Sequence, residues 1–189
     1  MREGTEQKGR LIIVSAPSGC GKTTVVSRLV ERVPGLERSV SYTTRPPREG
    51  EKNGRDYIFV SEEEFFSKKE SEEFLEWEEN FGSFYATGAE QVEKALCSGK
   101  DIVLSIDVKG AGKLMERYPE AISVFLLPPS KEALKERLKG RATDNEEQLA
   151  LRLEEAAREM ACSECYTHRI VNEDLDKAVE ELERILKRG

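Results

Sequence analysis

The sequence turns on Ser15-Ala16-Pro17-Ser18-Gly19-Cys20-Gly21-Lys22-Thr23-Thr24. The apolar run Leu11-Ile12-Ile13-Val14 precedes it, and Val25-Val26-Ser27-Arg28-Leu29-Val30, with helical spacing, follows. A strand, a glycine-rich turn and a helix with Gly-Lys-Thr at its mouth are the setting of a phosphate-binding loop. Glycine lets backbone N–H groups turn inward around phosphate oxygens, and the helix N-terminus adds partial positive charge. Ala16, Pro17, Ser18, Gly19, Cys20, Gly21, Lys22, Thr23 and Thr24 are therefore expected to cradle a nucleoside triphosphate. Lys22 would reach the β- and γ-phosphates, and the Thr23 hydroxyl would hold Mg²⁺. Ala16 stands where the general motif has its first glycine, a variation that a negative φ would accommodate. The alternative, a chance glycine-rich turn, is disfavoured by the strand before it and the helix after it.

The 189 residues suffice for one domain with a full core and inserted lobes. With 35 % charged residues and a net charge of −7, a soluble globular protein is expected. The acidic balance argues against nucleic acid or an anionic membrane as partner. A polyanionic ligand must then be met by a local basic cluster. No apolar run approaches the roughly 20 residues of a membrane span. Residues 1–9 read as a short polar tail without the apolar centre of a secretion signal. Cys20, Cys97, Cys162 and Cys165 are too few and scattered for a disulfide scaffold, so a reducing cytoplasm is expected.

Patterning predicts a buried strand over residues 11–16, a helix from Gly21 to about Val33, and a short strand over residues 38–44. Arg45-Pro46-Pro47-Arg48 reads as an extended basic loop. Asn53-Gly54 is a hairpin signal leading into Tyr57-Ile58-Phe59-Val60. Ser61-Glu62-Glu63-Glu64 is a capping box opening a helix. Residues 74–77 and 81–85 read as strands, so residues 39–88 form a small β-rich lobe inserted in a βα framework. A helix follows over residues 89–98, then a strand, Ile102 to Ile106, ending at Asp107. Next come a short helix over residues 112–117, a strand over 122–127, and a helix capped by Ser130 and running to Lys139. A second capping box, Asp144-Asn145-Glu146-Glu147, opens a helix reaching Cys165. A strand, Arg169-Ile170-Val171-Asn172, and a helix over residues 174–187 close the chain. Alternating strands and helices predict an α/β fold with a parallel sheet covered on both faces, its ligands at the C-terminal strand ends.

Several residues carry candidate chemistry. Asp107, ending an apolar strand, is placed to bind Mg²⁺ or else to cap the following turn. Arg45 and Arg48 lie on a proline-stiffened loop, and guanidinium forks match phosphate bidentately; surface arginine is the alternative. In the Glu-rich stretch Glu72 to Glu79, strand alternation puts Phe74 and Glu76 on one side and Leu75 and Trp77 on the other. An exposed Glu76 is the simpler expectation, since an inward carboxylate needs a partner. Arg137 and Arg141, four apart, share a helical side, and with Arg152 they could close over a transferring phosphoryl group; the alternative is a salt-bridged surface helix. Cys162-Ser163-Glu164-Cys165 with His168 invites a metal or redox site but lacks a second ligand cluster. Cys97 reads as a small core residue, and Cys20 as a loop thiol that offers a route to thiol sensitivity.

Taken together, these residues resemble the guanylate kinase family over nearly the whole chain. The resemblance rests on Ser41-x-Thr43-Thr44-Arg45-x-Pro47-Arg48, then Glu51-x-Asn53-Gly54-x-Asp56-Tyr57, then Phe74-x-Glu76-Trp77, then Tyr85-x-Thr87, in family order and spacing. It implies a three-layer P-loop kinase fold, with a core (residues 10–38, 89–136 and 166–189), a GMP-binding lobe (39–88) and a helical lid (137–165). It implies Mg²⁺-dependent transfer of the ATP γ-phosphoryl group to GMP, in cytoplasmic purine nucleotide metabolism and GMP recycling. By resemblance, Arg45, Arg48, Tyr57 and Tyr85 would hold the GMP phosphate, and Ser41, Glu76 and Thr87 would read guanine. Lys22, Arg48, Arg137, Arg141 and Arg152 would serve the transfer, Thr23 and Asp107 the metal, and Asn172 would lie near adenine. Guanine offers N1–H and a 2-amino group as paired donors, which one carboxylate can accept and adenine cannot supply. Two departures stand out: Ser105 where family members often carry an acidic residue, and Ala86 where glycine is frequent.

Three rivals differ in what they require. A kinase for another monophosphate would not need Glu76 beside Ser41 and Thr87. A non-catalytic peptide-binding relative would have a degraded phosphate loop. A GTPase switch, suggested by Asp107-x-x-Gly110, would carry an Asn-Lys-x-Asp motif, which is absent. GMP and ATP are the expected partners, as a monomer or small homo-oligomer, with dGMP acceptance left open.

Overall fold

The computed structural model describes residues 8–80, 82–139 and 146–188. Its centre is a five-stranded sheet in the order β2-β7-β1-β8-β9, from Glu37–Arg38, Ile102–Ser105, Leu11–Ser15, Ile122–Leu127 and His168–Val171. Every pairing in it is parallel. Strands covered on both faces read as continuous apolar runs, and here alternation sorts their residues between two cores. Ile12 and Val14 face a cluster holding Val26 and Leu29 of α1 (Lys22–Arg32) and Val179 and Leu182 of α7 (Leu175–Arg188). Leu11 and Ile13 face a second cluster with Val92 of α3 (Ala89–Cys97) and Leu114 of α4 (Val108–Arg117). The predicted three-layer α/β architecture is therefore observed. β1 lies where the strand order reverses, and such a switch point opens a crevice at the C-terminal strand ends.

Residues 42–88 build a second sheet, β4-β3-β6-β5, from Ile58–Phe59, Tyr42–Thr43, Ser83–Gly88 and Phe74–Asn80. Helix α2 (Glu62–Glu70) covers it, its N-terminus capped by the Ser61 hydroxyl, which accepts from Glu64 N–H at 3.1 Å. The lobe's core is aromatic. Phe65 is fully buried, with ring centroids 4.9 Å from Phe74 and 5.5 Å from Phe84. The remaining helices are α5 (Lys131–Lys139) and α6 (Glu146–Ala161), followed by a 3-10 turn over Cys162–Cys165. Ser130 caps α5, accepting from Ala133 N–H at 3.1 Å. Among the described residues no helix is long and apolar enough to cross a membrane.

Several local expectations are corrected. Residues 38–44 are not one strand: Glu37–Arg38 joins β7 in the core, whereas Tyr42–Thr43 joins the lobe, so the chain changes sheets between them. Asn53-Gly54 does not make a hairpin. β4 pairs with β3 in parallel, Ile58 and Val60 donating to the carbonyls of Ser41 and Thr43. The Asn53-Gly54 turn closes on itself instead, through a 2.8 Å bond from Gly54 N–H to Tyr57. Helix α4 begins at Val108 rather than residue 112, because Asp107 caps it. Gly9, expected in the tail, is tied down by a 2.9 Å bond to Leu96. Cys97 is exposed rather than in the core. The Asp144-Asn145 end of the second capping box, and Phe81, lie outside the described residues.

Candidate active site

The phosphate loop leaves the end of β1 and enters α1. Gly19 and Gly21 take φ of 86° and 79°, a region that disfavours any residue with a Cβ. Gly21 is the N-cap of α1 and supplies no side-chain cap, and no acidic residue follows in the first turn. The first N–H groups of α1 are thus left open to an anion. Glu72 is the non-glycine residue with positive φ among those described, so Ala16 keeps the tight turn without strain, as expected. Asn172, buried just after β9, donates its side-chain amide to the Cys20 carbonyl at 2.7 Å. Its contact in this structure is thus with the loop backbone.

Lys22 is half-buried and points its ammonium at the Ile106 carbonyl, 2.5 Å away. Burial pulls its pKa below the usual lysine range, and the carboxylates of Asp107 and Glu159 oppose that shift. Asp107 adopts the capping role, its Oδ1 accepting from Gly110 N–H at 2.8 Å. Both foreseen roles remain compatible, because a carboxylate has further acceptor capacity.

Across the cleft, Glu76 corrects the expectation of an exposed residue: it is 7 % exposed. The strand alternation foreseen for Phe74 to Trp77 fails because the register shifts between Phe74 and Glu76, so that Leu75 and Glu76 are both buried. Glu76 Oε1 accepts from the Thr87 hydroxyl at 2.6 Å. Burial pushes its carboxyl up to about 7; the Thr87 bond opposes that, and the negative charge of Asp107 adds to it. Arg45 is chelated by both oxygens of Glu51 at 2.9 Å, and its guanidinium lies 5.4 Å from the Tyr57 ring centroid. The Tyr57 and Tyr85 rings are 6.0 Å apart.

One cleft of about 590 Å³ joins these groups. It is lined by Ala16 to Thr24 on one side, by Ser41, Arg45, Arg48, Tyr57, Glu76 and Tyr85 on the other, and by Asp107 and Arg152. Thr87 stands behind Glu76, fully buried. Arg137 does not line the cleft; it donates to the Asn172 carbonyl at 3.1 Å. Arg141 lies outside the described residues. The metal reading of Cys162, Cys165 and His168 gains no support, because no group of three or more His, Cys, Asp or Glu among the described residues is arranged to hold an ion.

Sequence reasoning missed Arg38 and Glu159, which also line the cleft. Glu159 of α6 faces the Ser18 backbone, and burial pushes its carboxyl up to about 7. A lone glutamate in a charged amphipathic helix carries no local signal of this.

Cys20 is fully buried, and burial pushes its thiol up to about 11, which withdraws the expected thiol sensitivity. A thiol reagent at pH 8 is expected to label Cys97, Cys162 and Cys165 quickly and Cys20 only on unfolding. A fourth fast thiol, protected by ATP, would contradict this.

A parallel α/β sheet with a phosphate loop at its switch point, facing a buried carboxylate across one cleft, defines a P-loop kinase fold. The family model for guanylate kinase matches residues 8–189. The guanylate kinase of Neisseria meningitidis serogroup B is 49 % identical over 180 residues, 95 % of this chain and 88 % of the relative. That of Geobacter metallireducens is 44 % identical over 181 residues, 96 % of this chain and 89 % of the relative. Among solved structures, guanylate kinase from Anaplasma phagocytophilum superposes with a TM-score of 0.81 at 35 % identity, covering 96 % of this chain and 86 % of that one. The chain belongs to the guanylate kinase family.

Proposed function

We propose that this chain transfers the γ-phosphoryl group of ATP to GMP, giving ADP and GDP. The observation that carries the proposal is Glu76: a buried carboxylate, anchored by Thr87, in the wall of the cleft that the phosphate loop opens into. Burying a carboxylate without a cationic partner is costly, and a ligand with two adjacent donors recovers that cost. Guanine N1–H and its 2-amino group are such donors.

Arg45, Arg48, Tyr57 and Tyr85 hold the acceptor phosphate, with Ser41 beside the base. Glu51, which now occupies the Arg45 fork, gives way to phosphate or supports the guanidinium from behind. The phosphate loop holds ATP, and Asn172 braces that loop through Cys20. Thr23 and Asp107 offer hard oxygen donors in one cleft, which fits Mg²⁺ with its remaining ligands from water and phosphate. Bound there, Mg²⁺ would supply charge neutralisation of the β- and γ-phosphates. The acceptor phosphate oxygen is the nucleophile. This chain's part is to align the two phosphates and to surround the transferring group with Lys22 and Arg152, joined by the lid residues Arg141 and Arg137, the latter turning in from its bond to the Asn172 carbonyl. Residues 10–38, 89–136 and 166–189 act as core, 39–88 as acceptor lobe and 137–165 as lid. Four unpaired cysteines fit a reducing cytoplasm. ³¹P spectra of the protein mixed with ATP, GMP and Mg²⁺ test the reaction: ADP and GDP resonances should grow in equal amounts. Inorganic phosphate appearing in place of GDP would contradict the proposal.

The pH dependence follows from Glu76, whose folded carboxyl titrates near 7 against an ordinary 4.5. Its protonated form is favoured by the fold, so its contribution to stability is present below about 4.5 and is lost as pH rises through about 7. Guanine requires the ionised form, so GMP affinity should rise with pH up to about 7, by at most about tenfold per unit, and then level off. Burial is the main cause of this titration, and Thr87, Asp107, Lys113 and Glu78 adjust it. The GMP phosphate itself titrates near about 6. The difference between wild type and Glu76→Gln in KM for GMP from pH 6 to 8 isolates the carboxyl's part, and identical profiles would contradict it.

A further inference from the structure

Helix α4 carries two glycines, Gly110 and Gly112, in a setting where alanine is the better helix former. Neither has a positive φ, so backbone conformation does not demand glycine at either site. Their surroundings differ. A Cβ on Gly112 would meet nothing within 4 Å, whereas one on Gly110 would lie 2.6 Å from Glu76 Oε2 and 2.8 Å from Ile106 Cδ1.

We propose that Gly110 is a specificity-positioning residue for the acceptor base: its missing side chain is the space in which the Glu76 carboxylate stands. The inference rests on the reading of Glu76 as the guanine acceptor. The carboxylate is held from two sides. Thr87 fixes Oε1 at 2.6 Å, and the α4 backbone at Gly110 abuts Oε2. A methyl group on Gly110 must push the carboxylate away, stretching the Thr87 bond or turning the oxygens from the plane that two parallel guanine donors require. Both atoms that a Cβ would strike are ends of side chains, so the fold can absorb the change while the recognition geometry cannot. The Gly110 N–H that donates to Asp107 Oδ1 at 2.8 Å survives in an alanine variant, so the donor side of the cleft is left as it is.

Gly110→Ala and Gly112→Ala form a matched pair on one helix. Each is assayed with GMP and with inosine monophosphate, which keeps N1–H but lacks the 2-amino group. Gly112→Ala should match wild type in kinetics, with Tm equal or raised by about 1–4 °C. Gly110→Ala should raise KM for GMP by about 30-fold, leave KM for ATP within about twofold, and shrink the preference for GMP over inosine monophosphate by about tenfold or more, the worth of one charge-assisted bond. Adding Glu76→Asp, one methylene shorter, to Gly110→Ala should restore part of that preference, although Glu76→Asp alone lowers it. An unchanged preference in Gly110→Ala, or an equal loss on both nucleotides without rescue by the shorter acid, would overturn the inference. Failure of the proposed function itself shows separately, as a wild type that does not phosphorylate GMP.

Discussion

Lys22→Ala is expected to lower kcat by about 10³-fold or more, the scale on which charge neutralisation contributes to phosphoryl transfer. The side chain leaves α1 at its first residue and ends at the rim shared by the phosphate loop, Asp107 and Glu159. Its ammonium rests on the Ile106 carbonyl, and the proposed transfer requires it to turn from there to the phosphates. The loss should fall on kcat more than on KM for GMP, because in the proposed complex the lysine serves the transferring phosphoryl group rather than the guanine base. Stability should change little, by about 1 kcal/mol at most. The Ile106 carbonyl still accepts from the Ser15 hydroxyl at 3.0 Å, so no buried acceptor is orphaned. Single-turnover rates and thermal unfolding measured together check this. A variant that folds normally and turns over within threefold of wild type would show that the loop does not serve the transfer.

The second large effect is at the opposite wall. Glu76→Gln is nearly isosteric, yet in the proposed complex it replaces an oxygen that accepts from guanine with an NH₂ group that faces guanine's own donors. Two charge-assisted bonds are lost and donors are opposed, so kcat/KM for GMP should fall by about 10²–10⁴-fold while KM for ATP stays put. The free protein should become no less stable, and a higher Tm is expected at pH 8. There the wild type keeps an ionised carboxylate buried among Asp107 and Glu78, with Lys113 offering partial compensation. A functional group that costs stability is the usual bargain at a binding site. Equal kcat/KM in wild type and Glu76→Gln would remove Glu76 from the site.

What the sequence revealed and what it hid divide along a physical line. The strand-loop-helix at Leu11 to Arg32 was legible because its information is local: an apolar run, glycines where φ turns positive, and a lysine at a helix mouth. The caps at Ser61 and Ser130 were legible for the same reason. The burial of Glu76 was not, because the bulge at Leu75 exists only once β5 has paired with β6. Asn53-Gly54 misled because a turn signal says nothing about the partner that the following strand finds. Glu159 and Asn172 act on the phosphate loop from residues more than a hundred positions away, and Gly110 matters for a side chain it shares no element with. Such roles belong to tertiary packing and leave no periodicity to read. The residues from Arg45 to Tyr85 that line the cleft were picked out through the order of their motifs rather than through any one of them.

The central claim is a guanine-selective acceptor site facing an ATP site. It is tested most directly by kcat/KM with GMP, AMP, UMP and CMP, each at saturating ATP and Mg²⁺, following ADP release. GMP should exceed each of the others by at least about 10³-fold, since each of them leaves Glu76 without its pair of donors. Comparable values for all four, or a preference for AMP, would contradict it.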